Sequence, residues 1–262
     1  MNKSIPDQLN QILNDKTSGS SEIVNLLNDY FLLIRNNKSG FQKSILISKS
    51  KLDHFEEVNS YLKQLKTKLK NEKELLKFLS SYSPLQKNKI ERIFRNIYPR
   101  LKKFDRVITI SKSRTVFEVL KHWFQKNPNI KVIVCESRPK FEGRLMAESL
   151  AKIGIKTTLV TDAMMSLFVP QVDVTIIGAD TILKNGNVIN KVGSKSLSLN
   201  CKENKKPFYV VTTKSKFSAT NKFKLSKENP KEVYNKKVRN LSVTNIYFEE
   251  IDKKLITRIF TD

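Results

Sequence analysis

Five short runs of β-branched and apolar residues, separated by segments of helical period, constrain this chain most. They are "RVITI" (106–110), "KVIVC" (131–135), "TTLV" (157–160), "DVTII" (173–177) and "FYVVT" (208–212). Runs this continuously apolar belong to strands buried on both faces. The segments near 114–126, 141–153 and 193–203 are amphipathic at helical spacing and supply the cover. Parallel neighbours need a crossover, and a helix between each pair of strands provides it. A mainly parallel sheet with helices on both faces is therefore expected. Asn185-Gly186 marks a small hairpin after the fourth run. "IYFEEI" (246–251) reads as a last strand or an edge.

Residues 18–104 carry a different pattern, helical throughout. Ile23, Leu26, Leu27, Tyr30, Phe31 and Ile34 form an apolar stripe, and the Ser-Gly-Ser-Ser before them offers an N-cap. Val58, Leu62, Leu65 and Leu69 mark the buried face of a Lys/Leu-rich segment over 55–80. Ser83-Pro84 predicts a fresh helix start, with Ser as cap and Pro at the first helical position. Ile90, Ile93, Phe94, Ile97 and Leu101 line its inner side. The expected class is α/β: an N-terminal helical domain over 1–104, then a Rossmann-like domain over 105–262 with a mainly parallel sheet.

The net charge is +24, which favours anionic partners such as RNA, phosphorylated metabolites or acidic protein faces. Lys and Asn are abundant along the whole chain, so the charge alone does not mark a surface, and no RNA-binding signature is present. Segment 214–239 carries nine Lys/Arg against two Glu with little periodicity, and is expected to be a solvated excursion. No apolar run reaches the roughly 20 residues that span a bilayer, and the opening residues lack the apolar core of a signal peptide. Cys135 and Cys201 make no disulfide framework. His54 and His122 show no metal spacing, so neither metal nor cofactor is expected, and the location is expected to be cytoplasmic.

In a parallel α/β sheet, ligands bind beyond the carboxyl ends of the strands. Ser111-Lys112-Ser113-Arg114-Thr115 follow the first run, Glu136-Ser137-Arg138-Pro139 the second, and Gly178-Ala179-Asp180 the fourth. Asn190-Lys191 precede Gly193-Ser194 at a helix start, and Ser215-Lys216 follow the fifth run. Helix starts offer unpaired N–H groups and a positive dipole end, to which Ser113, Thr115 and Ser194 add hydroxyls and Arg114, Lys191 and Lys216 add charge. Together they suit a phosphorylated ligand. Asp180 has three readings: a turn cap, the counter-charge of a lysine network, or a general base.

The stretches "ESRPKFEGRLMAESLAKIGI", "VTIIGADTILKNGNVINKVGSKSLSLNCKENKKPFYVVTTKSKF" and "YFEEIDKKLITRIFTD" resemble the alpha/beta/delta-subunit family of translation initiation factor 2B. The resemblance runs from about residue 104 to 262. It takes in archaeal relatives and two sugar-phosphate isomerases, for ribose 1,5-bisphosphate and 5-methylthioribose 1-phosphate. It implies dimers or higher homo-oligomers, a sugar phosphate or nucleotide as ligand, and initiation factor 2 or other translation machinery as partner.

By that resemblance, Asp180 stands at the isomerases' catalytic Asp, Asn190-Lys191 at their substrate-binding pair, and Lys216 at a phosphate-binding lysine. Ser113, Arg114 and Thr115 fall on the phosphate loop. The isomerases' catalytic Cys is Ser111 here, in Thr109-Ile110-Ser111-Lys112-Ser113. A serine hydroxyl is a far weaker acid than a thiol, and no His stands beside it. The isomerases' phosphate-gripping Arg-Gly-Ala-Gly turn corresponds to Thr17-Ser18-Gly19-Ser20, which lacks the Arg. The expectation is a non-catalytic family member that binds its ligand and acts through protein partners. The alternative is an aldose–ketose isomerase.

Overall fold

The structure, a computed structural model, describes residues 5–15 and 18–262. Its first part is built from α1 (Ile5–Leu13), α2 (Ser20–Leu33), α3 (Lys38–Lys51), α4 (Glu56–Lys68) and α5 (Glu72–Leu101). On α2 the stripe sits slightly off the expected one: Val24 is fully buried while Leu26 is 38% exposed. The cap also differs. Gly19, which has no side chain to cap with, is the N-cap of α2, and the Ser20 and Ser21 hydroxyls both donate to Glu57 on α4 instead of capping.

The expected helix start at Ser83-Pro84 is overturned. Residues 72–101 are one helix with Pro84 inside it, capped at its N-terminus by Asn71, whose side chain accepts from the Glu74 N–H. The buried positions Leu75, Leu79, Gln86, Ile90, Ile93, Ile97 and Leu101 stay in helical phase across the proline. Pro84 itself is exposed, so its missing N–H is lost on the solvent side, where water can meet the freed carbonyl. Packing along the other face carries the helix through. Leu75 and Leu79 join the core of the helical part, whereas Ile93, Ile97 and Leu101 pack against the sheet.

The sheet follows as β1 (Arg106–Ile110), α6 (Arg114–Lys126), β2 (Lys131–Cys135), α7 (Glu142–Lys152), β3 (Lys156–Val160), a short α8 (Met165–Phe168) and β4 (Val174–Ile177). The hairpin β5 (Thr181–Ile182) and β6 (Val188–Lys191) comes next, then α9 (Ser194–Glu203), β7 (Phe208–Val211), β8 (Phe248–Ile251) and β9 (Arg258–Phe260). The main sheet has the order β3-β2-β1-β4-β7-β9, and every pair in it is parallel. One apolar cluster covers each face.

The Asn-Gly turn is as expected, with Gly186 at φ +88° in the left-handed region that a residue without Cβ enters freely. The hairpin belongs to a small second sheet, in which β8 pairs antiparallel with β6. The C-terminal β9, with no strong apolar run of its own, completes the main sheet beside β7.

The strand order locates the site. From β1 the chain winds outward through β2 and β3, then returns to lay β4 on the other side of β1. Crossovers on the two sides lead away from each other, which opens a crevice beyond the carboxyl ends of β1 and β4. Ser111 leaves the first of these strands and Gly178-Ala179-Asp180 leave the second.

Candidate functional site

A cleft open to solvent occupies that crevice and reaches between the sheet and the helical part. Ser18, Gly19, Ser111, Ser113, Arg114, Asp180, Asn190, Lys191 and Lys216 all line it. Four other expected residues do not. Ser20 is turned to Glu57. Thr115 is buried in the first turn of α6. The Gly193 N–H, with that of Lys195, donates to Glu249, so a carboxylate of this chain already occupies the start of α9. Ser194 is fully buried and accepts from Asn190. Thr17 lies outside the described residues.

The loops after β1 and β2 are held under strain. Ser111 has φ +66°, Ser137 φ +64° and Phe141 φ +61°, a region costly to residues with a Cβ. The Ser111 N–H donates to Ser137 Oγ at 2.7 Å, and Ser137 Oγ donates to the Cys135 carbonyl at 3.0 Å. Asp162 accepts from the N–H groups of Ser137 and Arg138 and so fixes the second loop. Two glycines permit the close approach. A Cβ on Gly178 would lie 2.5 Å from Ser113 Oγ, and one on Gly143 would lie 1.8 Å from the Cys135 carbonyl oxygen.

Ser113 caps α6, and the lining residues Arg114 and Lys51 have no carboxylate partner among the described residues. Lys112 pairs with Glu22 at 3.2 Å.

At the floor the lysines are already engaged. Lys191 Nζ lies 2.6 Å from Glu142 Oε1 and over the Tyr247 ring, with both charged side chains buried. Lys216 Nζ donates to the Ala179 carbonyl at 2.7 Å and lies 3.6 Å from Glu57. Asp180 sits among these pairs with part of its surface open to the cleft, and no described group donates to its carboxylate. Burial pushes the Asp180 carboxyl above the usual range. Lys216 and Lys191 pull it back, while Glu57 and Glu142 push it further up.

No thiol reaches this space. Cys135 is fully buried at the end of β2, and burial pushes its thiol up to about 12. Cys201 is equally buried beside Thr175 and is pushed up to about 11, again chiefly by burial. Among the described residues no group of His, Cys, Asp and Glu could hold a metal ion.

Sequence reasoning missed Glu57, Glu142 and Tyr247. Glu57 was detectable: it falls in phase with Val58, Tyr61 and Leu65 on the buried face of an otherwise Lys-rich helix. Glu142 stands next to Gly143, the residue of closest backbone approach. Tyr247 had no local signal. Its hydroxyl donates to Glu232, which also accepts from Lys140 and Asn245. The expected excursion over 214–239 is largely exposed, and Glu232 ties it to the rim of the cleft.

The Initiation factor 2 subunit family model, IF-2B, matches residues 10–262. The chain belongs to that family. Its relatives within reach of sequence comparison carry different names. A putative translation initiation factor eIF-2B subunit 2-like protein of Pyrococcus furiosus is 41% identical over 113 residues, which are 43% of this chain and 41% of that protein. Ribose 1,5-bisphosphate isomerase of Methanocaldococcus jannaschii is 29% identical over 169 residues, 62% of this chain and 55% of that protein. These matches span about half of each relative's length. The solved translation initiation factor eIF-2B of Pyrococcus horikoshii superposes with a TM-score of 0.84 at 24% identity, covering 100% of this chain and 96% of that one. That likeness establishes the IF-2B fold for this chain. No described helix is long and apolar enough to cross a membrane.

Proposed function

We propose that this IF-2B family protein binds a sugar phosphate or nucleotide in the cleft without converting it, and acts through protein partners in translation initiation or its regulation. What carries this reading is the absence of an accessible thiol among the described residues lining the cleft. Moving a hydrogen between adjacent sugar carbons needs a group that gains and loses a proton near neutral pH beside the substrate. Position 111 offers a serine, and Cys135 is sealed behind it with its thiol pushed up to about 12. Features suited to an anion support the ligand: the start of α6, Arg114 and Lys51, which have no carboxylate partner among the described residues, and the hydroxyls of Ser18 and Ser113. The eIF-2B name of the Pyrococcus relative supports the translation context.

Calorimetric titration with ribose 5-phosphate and with AMP tests this reading. Saturable binding weakened at least about tenfold by Arg114→Ala is expected, equivalent to roughly 1.4 kcal/mol. Silence from both compounds contradicts it.

A second reading, an aldose–ketose isomerase, is favoured by Asp180. A carboxyl facing the cleft with its pKa raised by burial is the form a general base takes in such a site. The isomerase name of the Methanocaldococcus relative points the same way.

A further inference from the structure

The basic residues of this chain are not evenly mixed. Ten of its 49 Lys and Arg are arginines, and three of the ten, Arg92, Arg95 and Arg100, fall within nine residues of α5. At about 100° per residue, Lys89, Arg92, Arg95, Arg100 and Lys103, just past the helix end, share an arc of roughly 140°. That arc faces away from the buried stripe of Ile90, Ile93, Ile97 and Leu101. The three arginines and Lys103 are exposed, and Lys89 is half-buried. Two asparagines and a proline fill the rest of the arc between 88 and 103, which holds no acidic and no aromatic side chain. Glu91 stands outside it.

These cations are not neutralised within the molecule. The one ion pair that α5 makes among the described residues joins Lys68 to Glu74 in its first turn, far from Lys89. Asn96 donates to the Thr261 carbonyl, and the Asp262 carboxylate beyond it accepts from the Lys214 N–H. Lysine is enough to keep a helix face in solution, and it prevails elsewhere in this chain. A guanidinium differs: its planar fork meets two phosphate oxygens at once, and it is more weakly hydrated than an ammonium. The strip is also separate from the cleft, since no residue of α5 is among those that line it.

We infer that the exposed face of α5 over 89–103 is a docking surface for the phosphate backbone of double-helical RNA, bound without regard to sequence. The five cations spread over about 21 Å at 1.5 Å per residue. One strand of a duplex presents a phosphate roughly every 3 Å of its axis, so each cation has a phosphate within reach. An acidic protein face fits less well, because folded surfaces intersperse both signs and this arc carries one sign only. The lack of an aromatic ring in the arc argues against single strands, whose bases bind by stacking, and leaves shape and backbone as what is read. The choice of RNA over DNA rests on the translation role proposed above; the surface itself does not.

The test is fluorescence anisotropy of a labelled RNA duplex titrated with the full chain over a series of salt concentrations. Saturable binding is expected, with log K falling linearly against log salt. The triple variant Arg92→Gln, Arg95→Gln, Arg100→Gln is expected to weaken it at least about tenfold at the lowest salt and to flatten the slope by about 2 to 3. Lys38→Gln, Lys43→Gln, Lys49→Gln removes the same charge from exposed positions of α3. That variant is expected to change affinity less than about threefold. Equal losses in the two variants reduce the binding to net charge and overturn the inference, as does a wild type that does not bind. Displacement of the RNA by polyglutamate at matched charge concentration assigns the face to an acidic protein instead. Tighter binding of a DNA duplex of the same length overturns the choice of RNA. These two wild-type competitions decide the partner class even where a variant fails to fold. A negative result leaves the cleft untouched, because titration with ribose 5-phosphate and AMP tests that reading separately.

Discussion

Lys216 Nζ and a carboxylate oxygen of Glu57 lie 3.6 Å apart, both buried, and they join the sheet to the helices beneath the cleft. Glu57 also accepts from the hydroxyls of Ser20, Ser21, Thr213 and Ser215. One carboxylate from the first turn of α4 thus organises the contact between the helices and the segment that carries Lys216.

Glu57→Ala leaves a buried ammonium without its counter-charge and several hydroxyls without an acceptor. A loss of about 3–5 kcal/mol is expected, read from urea denaturation. Glu57→Leu combined with Lys216→Met is expected to recover a large share, because the pair is costly to break but not to replace. A single-variant loss within measurement error contradicts the assignment.

Gly143 and Gly178 are both close-approach positions, with different neighbours. A Cβ on Gly143 meets a backbone carbonyl at 1.8 Å, which has nowhere to go, whereas one on Gly178 meets the Ser113 side chain, Oγ at 2.5 Å and Cβ at 2.9 Å, which can give only by shifting the start of α6. Gly143→Ala is expected to cost roughly 3 kcal/mol or more, and Gly178→Ala clearly less. Paired melting curves check the order.

Asp180 should lower stability in exchange for its place in the cleft. Burial raises its folded pKa above the unfolded value of about 3.9, so the folded state keeps the proton longer. Stability contributed at low pH is therefore lost as pH rises through the window between the two values. Asp180→Asn is expected to stabilise the protein at pH 7 by roughly 0.5–2 kcal/mol, with the advantage vanishing below about pH 4. Denaturation midpoints of both proteins across that range test the sign.

Both thiols should be inert in the folded protein. Burial holds Cys135 at about 12 and Cys201 at about 11, so neither carries appreciable thiolate at pH 8. Titration with a disulfide reagent is expected to show both reacting only on unfolding. Rapid reaction of Cys135 in the native state would place a usable sulfur at the cleft.

Much of this was legible in the chain. The five apolar runs specified the parallel strands almost to their ends, because burial on both faces leaves a continuous apolar signature; β3 is the exception, an edge strand in which only Val160 is buried and Leu159 is 46% exposed. Asp180, Lys191 and Lys216 were identifiable as strand-end residues for the same reason. The long helix through Pro84 was not, since a local breaker signal was outweighed by a buried stripe in phase on both sides of it. Strand β9 escaped because only Phe260 is fully buried there, and its place depends on β7 offering a free edge. Most of all, the engagement of the lysines with Glu142 and Glu57 was invisible. Residues 142 and 191, or 57 and 216, become neighbours only when the sheet and the helices come together.

The measurement that bears most directly on a cleft that holds but does not convert is turnover itself. Purified protein incubated with ribose 1,5-bisphosphate and, separately, with 5-methylthioribose 1-phosphate should yield no ketose above the uncatalysed background, in a preparation that binds ribose 5-phosphate. Ketose formation that is catalytic in the protein, and that disappears in Asp180→Asn, contradicts the account.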